Sequence, residues 1–145
     1  MTAVDQRSVA TRFRSVDALL ADARSRLVRV TPEQAFAQVA AGARIVDIRP
    51  AWQREVDGEV PGALVVERNH LEWRLHPDSD ARVPQAAAGQ RWLVLCQEGY
   101  TSSLAADALL SIGVPATDII GGIRAWRAAG LPVVATVTPP NTLVH

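Results

Sequence analysis

Short apolar runs alternate with helical patterns along most of this chain. Runs at 44–48, 64–66, 92–95 and 117–120 have the length and composition of buried strands. Between them, apolar residues recur at the three- and four-residue spacing of amphipathic helices. This alternation predicts an α/β fold in which helices cover both faces of a central parallel sheet.

Two helix starts are marked clearly near the N-terminus. Ser15 is expected to cap one helix, and Thr31 to cap the next, where Pro32 suits the first helical position. Gln34 completes a capping box with Thr31. The apolar residues expected to form the buried face of this second helix are Ala35, Phe36, Val39 and Ala40.

Length and charge narrow the possible functions. We expect one domain over residues 15–134, between a flexible N-terminus (1–14) and a flexible tail (135–145). Lys+Arg and Asp+Glu number 15 each, a balance that disfavours binding to nucleic acid or to a membrane surface. The N-terminus lacks the apolar core of a signal peptide, and we expect no membrane span. A cytoplasmic location is therefore expected.

The single cysteine is the strongest candidate for chemistry. Cys96 follows the strand predicted at 92–95 and precedes a helix expected to start near Ser102. Parallel sheets place their sites beyond the carboxyl ends of strands, and Asp47 also lies at such an end. A helix N-terminus favours the thiolate form of cysteine, which is the nucleophile. The alternative is that Cys96 is a small buried apolar residue.

Three stretches together carry a family resemblance. Residues 46–49 and 58–63 (VDIR and GEVPGA) are similar to the VDxR and GHIPGA elements of single-domain rhodanese-like sulfurtransferases. Residues 96–102 (CQEGYTS) are similar to that family's CxxGxRS loop, and residues 121–133 resemble its GGxxAWxxAGxPV terminus. The order and spacing of these stretches resemble the family over roughly residues 30–134.

The resemblance implies a rhodanese-like fold and an enzyme that transfers sulfane sulfur through a persulfide on Cys96. The donor would be thiosulfate or a persulfide, and the acceptor a thiol, on a protein or a small molecule, or cyanide. The family needs no metal or organic cofactor. By the resemblance, the substrate-binding loop comprises Gln97, Glu98, Gly99, Tyr100, Thr101 and Ser102.

Three charged residues are expected to support this loop. Asp47 is expected to anchor it by hydrogen bonds, and Arg49 to pair with an acid such as Glu55 or Glu59. A second interpretation gives Arg49 or Arg54 a role in binding a substrate anion. Thr101 and Ser102 are expected to donate hydroxyl hydrogen bonds inside the loop or at the helix N-cap.

The chain departs from the family pattern at two positions. Glu59 stands where the family often has histidine, and Thr101 stands where its loop usually closes with arginine. That arginine commonly helps to hold an anionic sulfur donor. Glu98 would repel such donors, and we expect its side chain to point to solvent.

Two other functions are consistent with the same residues. One is a non-catalytic binding module, or a sensor of sulfur or redox state, which the threonine at position 101 favours. The other, weaker one is a phosphatase, because related phosphatases use one more loop residue and close with arginine. Among the remaining residues, packing is expected for Trp52 and Trp126, packing or the pocket mouth for Trp73, and the surface for His70 and His76.

Overall fold

A four-stranded parallel sheet lies at the centre of the computed structural model, which describes residues 10–141. The strands are β1 (Arg44–Asp47), β2 (Leu64–Val65), β3 (Trp92–Leu95) and β4 (Ala116–Asp118), in the order β2-β1-β3-β4. In β1 and β3, Asp47 lies beside Leu95, so these two strands end level with each other. The residues that follow them therefore meet at one edge of the sheet.

Helices cover both faces of this sheet, as the sequence predicts. They are α1 (Val16–Arg24), α2 (Pro32–Ala40), α3 (Ala51–Asp57), α4 (Leu71–Leu75), α5 (Thr101–Ser111) and α6 (Gly122–Ala128), with a 3-10 turn at Arg68–His70. On one face α1 and α4 pack against α5, and on the other α2 contacts α6. The predicted caps are confirmed, since Ser15 accepts a hydrogen bond from Ala18 and Thr31 forms the capping box with Gln34.

Alternate strand residues divide the core into two layers. Side chains such as Ile45, Leu93 and Ile119 pack with Trp126 on the α2–α6 face. Their neighbours along the strands point to the α5 face, where the cluster includes Val46, Val94, Cys96, Ala105 and Leu109. Because strands buried on both faces need apolar residues at nearly every position, short continuous apolar runs were the correct signal for them.

The tryptophan predictions are confirmed for one residue and wrong for two. Trp126 is 1% exposed, but Trp52 and Trp73 are 66% and 58% exposed. In α3 the buried residue is Arg54, and in α4 the buried residues include Leu75. Each tryptophan lies two positions before one of these, about 200° around the helix axis, and so faces solvent.

The buried face predicted for α2 is only partly correct. Ala35 is buried, but Phe36, Val39 and Ala40 are exposed, with Phe36 49% accessible. These three residues line an apolar groove of about 510 Å³ between α2 and Trp126. The rings of Phe36 and Trp126 meet edge to face, 6.1 Å between centroids, so the helices touch without closing the groove.

The chain after α6 makes hydrogen bonds to the rest of the domain. Residues 135–141 contain no helix or strand, yet Asn141 donates from its backbone to the Val65 carbonyl at 2.7 Å, and Thr138 bonds to Glu59. Of the two segments predicted to be flexible (1–14 and 135–145), residues 1–9 and 142–145 lie outside the described residues. None of the helices within 10–141 has the length and apolar character needed to cross a bilayer.

We expect Trp126→Ala to lower the free energy of unfolding by about 3–5 kcal/mol, because a fully buried aromatic ring leaves a cavity. Its indole N–H also donates to the Pro132 carbonyl at 2.8 Å. Trp52→Ala is the matched control and should change stability by no more than about 0.5 kcal/mol. Urea unfolding followed by far-UV circular dichroism measures both, and similar losses in the two variants would contradict this assignment of the core.

Candidate active site

Cys96 lies at the sheet edge where β3 ends, at the start of a six-residue turn that we call the Cys96 loop (residues 96–101). The residue is only 4% exposed. Its Sγ accepts a hydrogen bond from the Gly99 N–H at 3.2 Å. Since α5 begins at Thr101, the sulfur lies close to a helix N-terminus, as the sequence predicts.

The Cys96 loop presents several further backbone donors. The N–H groups of Gln97, Glu98, Tyr100 and Thr101 donate to no protein acceptor within residues 10–141. Consecutive unpaired N–H groups in a tight turn form a site suited to an anion, and the dipole of the following helix adds to it. The loop therefore has the donors that a negatively charged sulfur group requires.

A small cavity of about 280 Å³ opens beside the sulfur. Its walls are Ile48, Arg49, Pro50, Gln53, Cys96, Gln97, Glu98, Tyr100 and Thr101. The apolar groove beside α2 is larger, but none of the residues that line it is a nucleophile. Chemistry therefore favours the smaller cavity as the reaction site.

Glycines allow the Cys96 loop to lie directly against the start of α6. A side chain at Gly122 would collide with the Cys96 carbonyl oxygen, and one at Gly99 would come within 2.7 Å of the Gly121 nitrogen. Both Gly99 and Gly122 also have positive φ angles, 87° and 60°. The N–H of Ile123 donates to the Cys96 carbonyl at 3.0 Å, which ties the loop to α6.

Asp47, predicted to anchor the Cys96 loop, bonds instead to Arg49 in the segment after β1, and the partner predicted for Arg49 is wrong. Asp47 accepts from the Arg49 backbone at 3.0 Å and pairs with its guanidinium at 2.7 Å. The partner of Arg49 is Asp47, which lies two residues away on an extended chain, and not Glu55 or Glu59. The side chains of Arg49 and Asp47 are both fully buried. Arg49 also donates to the Gly58 carbonyl at 2.7 Å, and weakly to Gln97 at 3.4 Å.

Arg54 lies outside the cavity, in a second buried ion pair. Its guanidinium contacts Glu59 at 2.6 Å and the Thr138 carbonyl at 2.7 Å. Burial raises the pKa of Glu59, but hydrogen bonds from Thr138 and Arg54 outweigh this effect and hold the pKa below its ordinary value. This pair therefore attaches the C-terminal segment to the domain instead of facing a substrate.

Most of the remaining side chains in the Cys96 loop face solvent, and one bonds to another part of the domain. Glu98 points outward, as predicted, and pairs with Arg124 at 2.7 Å. Tyr100 and Thr101 are exposed, while the amide of Gln97 bonds to the carboxylate of Asp57.

The hydroxyl of Ser102 was expected inside the loop or at the N-cap, and this is wrong. The buried Ser102 donates to Asp118 at 2.7 Å, on the side of α5 that faces β4. The N-cap position of α5 is Tyr100, whose side chain makes no capping bond.

Sequence analysis missed the polar cluster that lies behind the Cys96 loop. Its centre is the fully buried Asp118, which accepts from Ser103 at 2.8 Å as well as from Ser102, and pairs with Arg29 at 2.9 Å. The sequence contained one indication of this cluster, the carboxylate of Asp118 inside a run predicted to be a buried strand. Its partner Arg29 is 89 positions away in the chain, so sequence spacing gave no indication of the pair.

The histidines lie apart from this site. His70 and His76 are half-buried in and just after the 3-10 and α4 region. Across the described part of the chain, His, Cys, Asp and Glu side chains form no group of three or more suited to a metal ion.

Comparison with known sequences gives two findings. Residues 31–129 match the model of the rhodanese-like domain family. The chain is also 34% identical over 105 residues to Thiosulfate sulfurtransferase GlpE of Pseudomonas entomophila, a match that covers 72% of this chain and 88% of that protein.

Solved structures with a similar fold carry different descriptions. A protein of unknown function from Rhodopseudomonas palustris, described as a possible tyrosine phosphatase, has a TM-score of 0.76 and 33% identity over 87% of this chain and 98% of its own. A thiosulfate sulfurtransferase from Pseudomonas aeruginosa has a TM-score of 0.65 and 21% identity, covering 80% of this chain and 21% of its own. The second likeness concerns the fold alone.

We expect Glu59→Gln to destabilise the protein at neutral pH by about 3 kcal/mol, because Arg54 loses its buried partner. The pKa of Glu59 is lowered in the folded state, so its contribution is fully present above the unfolded-state pKa and is lost as the pH falls through the folded-state pKa. The difference between variant and wild type should therefore shrink as the pH falls below the ordinary pKa of glutamate, about 4.3.

Urea unfolding at several pH values measures this difference. Glu55→Gln is the control, since Glu55 lies exposed on the same helix and should show no such pH-dependent loss. A difference for Glu59→Gln that stays constant with pH would contradict the role given to the carboxylate.

Proposed function

Because the chain belongs to the rhodanese-like domain family, we propose that it transfers sulfane sulfur through a persulfide on Cys96. The donor is thiosulfate or a persulfide, and the acceptor is a thiol, on a protein or a small molecule, or cyanide. One observation carries the proposal: Sγ lies at the base of the Cys96 loop, accepts the Gly99 N–H and borders a cavity.

In the loading step, the Cys96 thiolate attacks the outer sulfur of thiosulfate. A bond forms between Sγ and that sulfur, the sulfur–sulfur bond of thiosulfate breaks, and sulfite leaves with the electron pair. A persulfide donor reacts in the same way and releases its thiolate. The exchange needs no external oxidant or reductant, since the sulfane sulfur carries its oxidation level with it.

In the release step, the acceptor attacks the terminal sulfur of the Cys96 persulfide. Cyanide leaves as thiocyanate, or a thiol acceptor becomes a persulfide, and the Cys96 thiolate is restored. The persulfide is an anion one atom longer than the thiolate. The unpaired N–H groups of Gln97, Glu98, Tyr100 and Thr101 supply the hydrogen bonds that this longer anion needs.

The phosphatase and the binding module place different requirements on the cavity beside Cys96. A phosphatase has to hold the dianionic phosphate group, and the arginine that lines this cavity, Arg49, is already paired with Asp47. The description of the Rhodopseudomonas palustris protein is the reason to test phosphate esters beside sulfur donors. A binding or sensing module would keep the fold and the thiol without turnover.

We expect wild-type protein incubated with thiosulfate to gain the mass of one sulfur atom, and Cys96→Ala to gain none. Intact-protein mass spectrometry measures the gain, and cyanide or a thiol should reverse it. Cys96→Ala should remain folded, because it removes a single buried sulfur atom; circular dichroism checks this. A gain of sulfur on Cys96→Ala would place the chemistry on another residue.

The same experiment separates the alternatives. Wild type that takes no sulfur from thiosulfate or from a persulfide donor would overturn sulfur transfer in favour of a binding module. Turnover of a phosphate ester without sulfur uptake would favour the phosphatase.

We expect Thr101→Arg to raise the rate of sulfur loading from thiosulfate by about threefold to tenfold, because a cation beside the cavity attracts the dianion. Thr101 is exposed and lines this cavity, so the longer side chain has room. Thr101→Gln adds length without charge and serves as the control. Sulfite release measures the rate; an equal effect of both substitutions would show that charge is not the cause.

A further inference from the structure

Two arginines hold the backbone of the Cys96 loop from behind. The carbonyl of Gly99 accepts from Nη2 of Arg24 at 2.7 Å and from Nη2 of Arg29 at 3.0 Å. Gly99 is also the residue whose N–H bonds to Sγ of Cys96. We call these two guanidinium groups on the Gly99 carbonyl the arginine clamp.

Buried partners hold both arginines in position. Arg29 pairs with the fully buried Asp118 at 2.9 Å. Arg24 donates from Nε to Ser103 at 3.0 Å, and the Ser103 hydroxyl donates on to Asp118 at 2.8 Å. Through these bonds, residues of α1, β4 and α5, which are far apart in the sequence, together hold the Gly99 carbonyl.

The contact with the Gly99 carbonyl also fixes the direction of the next backbone N–H, on Tyr100, because the two groups belong to one peptide unit. In a trans peptide the C=O and the next N–H point in opposite directions, and no described peptide is cis. With the Gly99 carbonyl drawn outward to the arginine clamp, the Tyr100 N–H points to the opposite side, towards the loop interior. Arg24 also lies over the Tyr100 ring, 5.9 Å from its centre.

The arginine clamp also brings positive charge to a loop that has no cationic side chain of its own. Thr101 occupies the position where the family usually has arginine, while the clamp contributes two guanidinium groups against the single carboxylate of Asp118. Both arginines precede residue 31, where the family match begins. They are therefore features of this chain that the family assignment does not supply.

We propose that Arg24 and Arg29 are positioning residues of the sulfur-transfer site, an inference that rests on the proposed function. Their contact with the Gly99 carbonyl holds the Tyr100 N–H in place to receive the persulfide. Their positive charge stabilises the anionic sulfur and attracts an anionic donor. The cation missing at Thr101 is thus supplied from α1 and the segment that follows it.

A nearby ion pair provides a control with the same structural role. Arg26 joins the end of α1 to Asp107 on α5 at 2.6 Å, and also contacts Asp22, without touching the Cys96 loop. Replacing Arg26 loosens the same helix contact, whereas replacing Arg24 removes the bond to Gly99. Arg24→Gln is the main variant because, among the described residues, it removes no partner from a buried carboxylate; Arg29→Gln is the second variant.

The experiment compares alkylation of Cys96 by anionic iodoacetate and by neutral iodoacetamide. The ratio of the two rates cancels the thiolate fraction and reports the electrostatic potential at the sulfur. We expect Arg24→Gln to lower this ratio by about threefold and sulfur loading from thiosulfate by about tenfold. Glu98 and Arg49, the charged residues that line the cavity, stay the same in every variant, and Arg26→Gln should leave both quantities unchanged.

The outcomes separate this inference from the proposed function. A folded Arg24→Gln protein with the ratio and loading rate of Arg26→Gln would overturn the arginine clamp and leave Cys96 chemistry intact. If wild type took up no sulfur from any donor, the proposed function would fail. The positioning role in sulfur transfer would fail with it, while the alkylation ratio would still show whether the clamp acts on the sulfur.

Discussion

The contact between the backbone of the Cys96 loop and the start of α6 is the constraint on which this site depends. The Cys96 carbonyl accepts the Ile123 N–H, and a side chain at Gly122 would occupy the same space. With that carbonyl turned towards α6, the next N–H, on Gln97, points the other way. The arginine clamp holds the Gly99 carbonyl in the same way, with side-chain donors in place of a backbone N–H. The donors inside the loop are therefore oriented by contacts made outside it.

Buried acid–arginine pairs hold segments that have no regular structure, both at the Cys96 loop and away from it. Burying a charge is costly unless it is paired and hydrogen-bonded, and each of these pairs also binds backbone. One reaches the Gly58 carbonyl, one Thr138 and one the Gly99 carbonyl. The pairs are Asp47–Arg49, Glu59–Arg54 and Asp118–Arg29. Such pairs favour one arrangement of the loops over others, because a displaced arginine would leave a carboxylate buried alone.

Family membership and the details of this chain account for different parts of the site. The strand ends, the cysteine and the two glycines at the start of α6 lie within the region that matches the rhodanese-like domain, residues 31–129. Arg24 and Arg29 lie before residue 31, outside the matched region, and Thr101 lies within it. Both features concern the positive charge near the sulfur: Thr101 contributes none, and in the inference above Arg24 and Arg29 supply it from behind the loop.

The sequence by itself determined the α/β fold, the caps of α1 and α2 and the place of Cys96 at a strand end, because these depend on local periodicity and on residues close together in the chain. It also pointed to a structural role for Asp47, whose partner it did not identify. Tertiary structure alone decided which arginine pairs with which acid, that Trp52 and Trp73 face solvent, and that Asp118 lies behind the loop. These outcomes depend on contacts between residues as many as 89 positions apart, and on which side of a short helix meets the sheet. Charge pairing of that kind leaves no spacing pattern in a single chain.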